Sequence, residues 1–402
     1  MDLDNLRRQF PLFDNPDENA TPVYFDNACM TFRPRSVIET INRYYQEFPA
    51  CGVRSNHRLA DQVTKEVEAA REKIAVMIGA ARKEEIVFTK NTTEGINLVA
   101  HSLDVSTGDK IILSDKEHNS NLVPWQILAK KNGAVIKIIS SAPDNAFDLD
   151  AFNVALKEGV KLVAMVMTSN LDGVRNPVEE IIARAHAKGA LVLLDAAQAV
   201  CHERIDLKKL DADFLAFSGH KMLGPSGTGV LYGKYALLEK LEPFITGGET
   251  VAGTTYDSFE MLPPPSKFEA GLQDYAGLIG LGAAVDFLSG LNFEEIREHE
   301  TELNRLLSQT IASHPKAKLI GPADSARRGS ITSFYVPGLN HHQIALMLNQ
   351  ADIMVRSGQH CVHSWYADRK IEGAVRASLL FYNTARDIER FSEAFDRIMK
   401  LV

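Results

Sequence analysis

LVLLDAAQAV at 191–200 and FLAFSGHKMLGPSGTGVLYG at 214–233 are the stretches whose reading decides the fold. The first is a continuous apolar run that ends in Asp195, the pattern of a buried parallel strand. The second is another short apolar strand, and it delivers Ser218, Gly219, His220 and Lys221 into a glycine-rich turn. A carboxylate at one strand end and a lysine just past the next suit one chemistry well. The lysine forms a Schiff base with pyridoxal phosphate (PLP) while the carboxylate pairs with the pyridinium nitrogen. Taken singly, the two residues read more simply as a surface lysine and a helix-capping aspartate. The joined pattern, with Gln198 three residues after Asp195 and GPSGTG after Lys221, points to PLP.

Outward from this pair, short apolar runs alternate with helical patterns. Strands are expected at 86–89, 110–114, 135–139, 162–168, 191–195, 214–218 and 229–232. That alternation predicts an α/β fold whose large domain has a mainly parallel seven-stranded sheet covered by helices. One helix is well marked: Asn176 suits its N-cap, Pro177 its first position, Glu179 the N3 site, and Gly189 ends it after Lys188. The stretch GGETVAGTTYDSFEMLPPPSK at 247–267 reads as a long excursion of the kind that often serves function. Helices are expected at 271–288 and 293–313. Strand 331–336, helix 341–350, strands 354–356 and 375–382, and helix 385–401 then make a smaller α/β C-terminal domain. The division expected is a large PLP-binding domain at 18–284, with 1–17 and 285–402 forming the small domain.

Composition narrows the class. The chain has 402 residues, 45% hydrophobic and 24% charged, with a net charge of −8. These are values of an ordinary globular protein, and the acidic balance argues against non-specific nucleic-acid binding and gives no reason to invoke a membrane surface, so neither nucleic acid nor membrane is expected as a partner. No run of 18 apolar residues occurs, and the N-terminal MDLDNLRRQF carries acids without an apolar core, so a cytoplasmic protein is expected. The four cysteines, Cys29, Cys51, Cys201 and Cys361, form no C-x-x-C pair. Cys29 and Cys201 stand in apolar surroundings and read as small core residues. Cys361 stands among polar residues. The competing reading of QHCVH at 359–363 is a metal site, but no second cluster with ligand spacing accompanies it, so no metal is expected.

The rest of the cofactor site can be read from residue chemistry. Lys221 needs a neutral amine, which burial provides. Asp195 should stay ionised and keep the ring nitrogen protonated, and Gln198 could bond the ring oxygen. In EEIVFTKNTTEGINLVAHSL at 84–103, Thr92 and Thr93 open a helix, where free N–H groups favour a phosphate. An ordinary N-cap threonine is the simpler alternative there. Ser218 and His220 would add donors. GPSGTG is not a nucleotide loop, because it opens no helix after a first βαβ strand. His118, after a strand end, could stack on the ring or relay a proton, or be merely structural.

So assembled, the chain resembles the class V aminotransferase superfamily, in particular the group II cysteine desulfurases and selenocysteine lyases. The resemblance runs from YFDNAC at 24–29 to YNT at 382–384. Its most specific pieces are EHNSNLVPW at 117–125, SGHKMLGPSGTG at 218–229, FEAG at 268–271, RSGQHC at 356–361 and RASLLFYN at 376–383. It implies a PLP fold-type I homodimer with active sites at the subunit interface. It implies Lys221 as the cofactor lysine, His118 stacked on the ring with Ala197 on the opposite face, and Asp195 and Gln198 as ring partners. Thr93, Ser218 and His220 become phosphate ligands beside the Thr92 backbone. Arg376 becomes the clamp on the substrate carboxylate, assisted by Asn170, with Arg356 nearby and Arg54 reaching across the dimer. Cys361 becomes the nucleophile that takes sulfur from L-cysteine, leaving L-alanine, and passes it as persulfide to an acceptor protein for Fe–S cluster or thio-cofactor assembly. Arg suits a bidentate clamp, and a cysteine between His360 and His363 with Arg356 nearby has electropositive surroundings that favour thiolate.

The chain departs from the pattern at three places: Gln359 stands for a histidine, Leu272 for a threonine after FEAG, and GGETV at 247–251 for a longer loop. A selenocysteine lyase acting on L-selenocysteine, a cysteine-sulfinate desulfinase, another enzyme of the same fold, and a catalytically silent scaffold remain the alternatives.

Overall fold

The computed structural model describes residues 2–15, 21–52, 54–157 and 159–401. Seven strands form the central sheet in the order Ile86–Thr89, Gly229–Gly233, Phe214–Ser218, Leu191–Asp195, Val160–Val166, Lys110–Ser114 and Val135–Ile139. Gly229–Gly233 is antiparallel to both neighbours, and the other pairings are parallel. The apolar runs mark these strands to within a residue, except the one expected at 162–168. That strand lies two residues earlier, because Thr168 already belongs to a turn that bridges back to Arg175.

The strands read as continuous apolar runs because both faces are covered. Val192, Leu194, Leu215 and Phe217 enter the core on one face. Leu193, Phe214 and Ala216 enter the core on the other. Each large apolar side chain contributes on the order of 1.5–3 kcal/mol when fully buried, so the sheet is held from both sides. Two helices that the sequence reading did not include, Arg35–Glu47 and Arg58–Ile78, pack on Tyr275–Ser289. Val63, Val67, Ala70, Ile74 and Ile78 give the second its apolar stripe.

FEAG closes one edge of the sheet. Glu269 accepts from Phe88 N at 2.7 Å and forks the buried Arg71 at 2.8 and 2.9 Å, while Arg71 donates to Ile86 O at 2.7 Å. The outer strand Ile86–Thr89 is thereby satisfied rather than left as an open edge.

The helix after the Val160–Val166 strand starts one residue later than the capping pattern suggested. It runs Val178–His186 with Pro177 at the N-cap. Asn176 is buried and donates from Nδ2 to Val166 O at 2.7 Å, so it serves the strand end instead. The 247–267 excursion holds a small antiparallel hairpin, Val251–Thr254 with Phe259–Met261, and Tyr256 at its turn is fully exposed.

The C-terminal layer is a four-stranded antiparallel sheet in the order Lys318–Ile320, Ile331–Tyr335, Ala374–Ser378 and Arg356–Gly358. Helices Phe293–Ala312, His341–Gln350 and Ala385–Met399 contribute to its core. Near the N-terminus, Phe10 packs on Phe287, Phe381 and Tyr382. Val23–Tyr24 pairs with Ile353–Met354 beside this layer. The boundary expected between 17 and 18 lies outside the described residues, and the helix Tyr275–Ser289 runs unbroken through the one expected at 284–285. Among the described residues no single helix is long and apolar enough to cross a membrane.

Candidate active site

A cavity of about 420 Å³ opens at the C-terminal ends of the parallel strands, where open α/β sheets place their ligands. Every residue assigned to the site from the sequence lines it except Arg54. Arg54 instead pairs through Nε with Glu249 Oε2 at 3.0 Å, on the excursion.

The strands deliver the first groups. Asp195 ends its strand buried, and Oδ1 accepts from Ala197 N at 2.9 Å. Burial pushes its carboxyl up, while the Ala197 amide and nearby Lys221 oppose that shift. Burial pushes the Lys221 amine down, with Asp195 opposing. A lowered amine is the neutral nucleophile that a carbonyl group requires. Gln198 is held by its Nε2 donating to Ala28 O at 2.7 Å.

Thr92 and Thr93 start the helix Thr92–Ser102, whose N-cap Asn91 accepts from Glu94 N at 3.0 Å. Ser218 Oγ lies 2.6 Å from Thr92 Oγ1 and accepts from Thr92 N at 2.9 Å, which ties the lysine loop to the helix start. Gly229 is required there, because a Cβ would lie 2.5 Å from Asn91 Cα. His220 is held near 4 by burial and by the Lys221 and Arg33 charges, so it is neutral near pH 7. A helix N-terminus with hydroxyls and a neutral imidazole can take a phosphate dianion.

His118 also is neutral, pushed to about 3 by burial and then by Lys221, Arg376 and His363. Its Nδ1 accepts from Ser120 N at 3.1 Å, which leaves the ring proton on Nε2. Just behind it, Glu117 is buried among three donors. Oε1 meets Ser114 Oγ at 2.5 Å and Val166 N at 3.1 Å, and Oε2 meets Asn121 Nδ2 at 2.6 Å. Burial raises Glu117 to about 7. Lys116 and Asp172 form a buried ion pair at 3.1 Å that joins this turn to the turn carrying Asn170.

At the other end of the cavity, Arg376 is buried in the Ala374–Ser378 strand. It donates to Asn170 O at 3.0 Å and faces Asp26 at 3.6 Å, with Nε unpartnered among the described residues. Arg356 reaches Asp26 Oδ2 at 3.4 Å. Beside them is the Cys361 turn. His360 and Cys361 both sit in the left-handed region, at φ 48° and 59°. Such positions cost non-glycine residues about 1–3 kcal/mol each and persist where the surroundings impose them. Here Asn170 Nδ2 donates to His360 O at 2.7 Å, and Cys361 O accepts from Asn119 N at 2.7 Å. The turn is thus pinned on both sides, and Cys361 remains exposed. A short helix, His363–Asp368, follows it. Burial pushes His360 well below the usual histidine range, so it supplies no positive charge to the thiol. Arg356 and Lys221 are the basic groups whose fields reach Cys361.

Two residues were misplaced or missed. Cys29, read as core, is half-buried and lines the cavity, while Cys201 is buried. Glu117 opens EHNSNLVPW, but its place beside His118 is the only signal in that stretch for a role. Among the described residues no three His, Cys, Asp or Glu side chains are grouped to hold a metal.

The cavity can hold a flat ring with a protonated nitrogen toward Asp195 and an anionic group at the Thr92–Thr93 helix start, within reach of Lys221. PLP has those parts, so the residues present fit it. Fold and cavity are those of one class: the family profile described as Aminotransferase class-V matches residues 23–391, and the chain belongs to that family. Within it, the similarity runs to cysteine desulfurases. A probable cysteine desulfurase of Synechocystis sp. is 42% identical over 98% of this chain and 95% of its own. The apo structure of a cysteine desulfurase from Thermococcus onnurineus NA1 matches at TM-score 0.94 and 36% identity, covering 99% of this chain and 98% of that one. The cysteine desulfurase CsdA of Escherichia coli, in an S-sulfonic acid form, matches at TM-score 0.92 and 33% identity over 100% of this chain and 99% of its own. Class V aminotransferases are PLP-dependent enzymes.

Proposed function

We propose that the protein is a PLP-dependent cysteine desulfurase that converts L-cysteine to L-alanine and carries the sulfur on Cys361. The observation that supports this best is the opposition within one cavity of an exposed thiol, Cys361, and a buried amine of lowered basicity, Lys221.

The cofactor, when bound, supplies an electron sink conjugated with the substrate Cα. Lys221 would anchor it, and Asp195 would keep the ring nitrogen protonated. Thr93, Ser218 and His220 would hold the phosphate beside the Thr92 backbone. Ala197 and His118 would flank the ring, and Gln198 would bond its oxygen. Arg376 clamps the substrate carboxylate with help from Asn170 and Arg356. That clamp fixes the Cα proton toward Lys221, which takes it. Cys361 Sγ then attacks the substrate sulfur and the sulfur–Cβ bond breaks. The electron pair left on Cβ takes a proton, Lys221 returns the Cα proton, and alanine leaves with the persulfide remaining on Cys361. The exposed position of Cys361 lets an acceptor protein collect the sulfur for Fe–S cluster or thio-cofactor assembly. Tyr256, Phe259 and Leu272 leave apolar surface on and beside the excursion, which suits a homodimer in which Arg54 serves the partner's site.

The test is the product balance on L-cysteine. With a thiol reductant present, alanine and sulfide should appear in equal amounts. Turnover of selenocysteine or cysteine sulfinate with none of cysteine would replace this reading with a lyase.

A further inference from the structure

EHNSN at 117–121 is a short turn whose residues reach different parts of the site. Glu117 bonds Val166 N, at the end of the Val160–Val166 strand, and Asn121 Nδ2, so the turn is anchored to the central sheet. Ser120 Oγ meets Thr93 Oγ1 at 2.7 Å, which anchors it to the start of the helix Thr92–Ser102. Asn119 reaches the cysteine turn instead. Its N–H donates to Cys361 O at 2.7 Å, and its Nδ2 lies 2.8 Å from His363 Nδ1. An amide nitrogen only donates, so the ring nitrogen accepts. Asn119 thus holds Cys361 at its own carbonyl and again two residues on.

The thiol needs such a hold. Cys361 follows Arg356–Gly358, a strand of the C-terminal sheet, whereas Lys221 follows Phe214–Ser218 in the central sheet. The separation of thiol and amine therefore depends on how the two layers are registered at this turn. Cys361 is exposed, so packing does not fix it. Its backbone and that of His360 are left-handed, a conformation non-glycine residues keep only where the surroundings impose it. Asn170, through His360 O, and Asn119, through Cys361 O and His363, are the contacts that cross from the turns of the central sheet.

We propose that Asn119 is a positioning residue for sulfur transfer, holding the Cys361 turn against the central sheet so that Sγ meets the substrate sulfur. The proposal rests on the desulfurase reading. Asn119→Ala removes the His363 bond and keeps the N–H to Cys361 O. Asn119→Pro removes both. Proline suits the position, because Asn119 opens the turn Asn119–Asn121 and His118 before it is extended at ψ 146°.

The experiment measures alanine release from L-cysteine by the PLP-loaded enzyme with a thiol reductant present, and deuterium uptake by the cofactor-free protein. Asn119→Ala should lower kcat about 10-fold, the equivalent of one net hydrogen bond at ~1.4 kcal/mol. Asn119→Pro should lower it about 100-fold, as expected for an attacking atom displaced by about 1 Å. KM should stay within about twofold and the Lys221 aldimine band should be unchanged, because only the sulfur-transfer step is touched. His363→Ala should match Asn119→Ala, and the two combined should lose no more than either alone. In Asn119→Pro, the peptide 356–366 should take up deuterium faster and the peptide 191–200 at the wild-type rate. A wild-type kcat in Asn119→Pro, or unchanged uptake at 356–366, would overturn the proposal. So would loss of the aldimine band or faster uptake at 191–200, since Asn119 would then be merely structural. A wild-type enzyme that releases no alanine from cysteine would overturn the desulfurase reading and the proposal with it.

Discussion

Lys116→Met strands a carboxylate in the core. Lys116 and Asp172 are 1% and 0% exposed and 3.1 Å apart, with Lys116 Nζ also donating to Asn145 O at 2.6 Å. Removing one partner of a buried pair costs about 3–5 kcal/mol, because the remaining charge is left without compensation. The two ends should not cost the same. After Lys116→Met, Asp172 keeps the Val174 N–H at 3.2 Å and the charge of the buried Arg328. That places the loss at the low end, about 3 kcal/mol. Asp172→Leu leaves two buried cations, Lys116 and Arg328, without the carboxylate that both interact with, and should cost about 5 kcal/mol. The double variant removes both members of the pair, so it should lose no more than Asp172→Leu alone, a coupling of about 3 kcal/mol. Urea unfolding of the cofactor-free protein, followed by the fluorescence of Trp125 and Trp365, gives the three differences. A double variant that loses as much as the two single variants together would refute the reasoning. So would Lys116→Met being the costlier change.

Two further outcomes follow from the site. Glu117 has a folded value near 7 against an ordinary 4.5, so its contribution to stability is fully present below about pH 4.5 and is lost as pH rises through 7. The loss over that window is about 3 kcal/mol, and the stability difference between wild type and Glu117→Gln should track it between about pH 5 and 8; parallel profiles would contradict the assignment. Borohydride reduction of the PLP-loaded enzyme should leave the pyridoxyl group on the Lys221 peptide, and a label on Lys90, beside Thr92, would move the anchor.

The sheet was legible because its signal is local. A strand covered on both faces is apolar throughout, and turn residues close each run, so Leu191–Asp195 and Phe214–Ser218 emerged at their true ends. The positions of Asp195, Lys221 and the Thr92 turn were legible for the same reason, since each lies at or just past a strand end. Side chains whose role depends on distant partners were not. Asn176 looks like a cap until Val166 O is seen to need its amide. Gly173 looks like an ordinary turn residue, yet a Cβ there would lie 1.8 Å from the carbonyl oxygen of Arg328, far along the chain. His360 looks like a cation beside Cys361 until burial makes it neutral. Cys29 looks like core, because nothing in its neighbours reveals that Gln198 and His220 fix its turn at the cavity. In YNT, by contrast, the structure shows scaffolding: Thr384 and Asp387 form a capping box, and Asn383 Oδ1 accepts from Leu380 N at 2.9 Å.

The central claim is that Cys361 takes the sulfur from the substrate, and alanine release from L-cysteine by Cys361→Ala tests it most directly. The variant keeps Lys221, Asp195 and Arg376, so it should still bind PLP and L-cysteine. Its alanine release should fall by about 100-fold or more, because the nucleophile itself is gone. Activity on selenocysteine should survive to a larger degree, since selenium elimination depends less on the thiol. Release of alanine from cysteine at the wild-type rate would contradict the account.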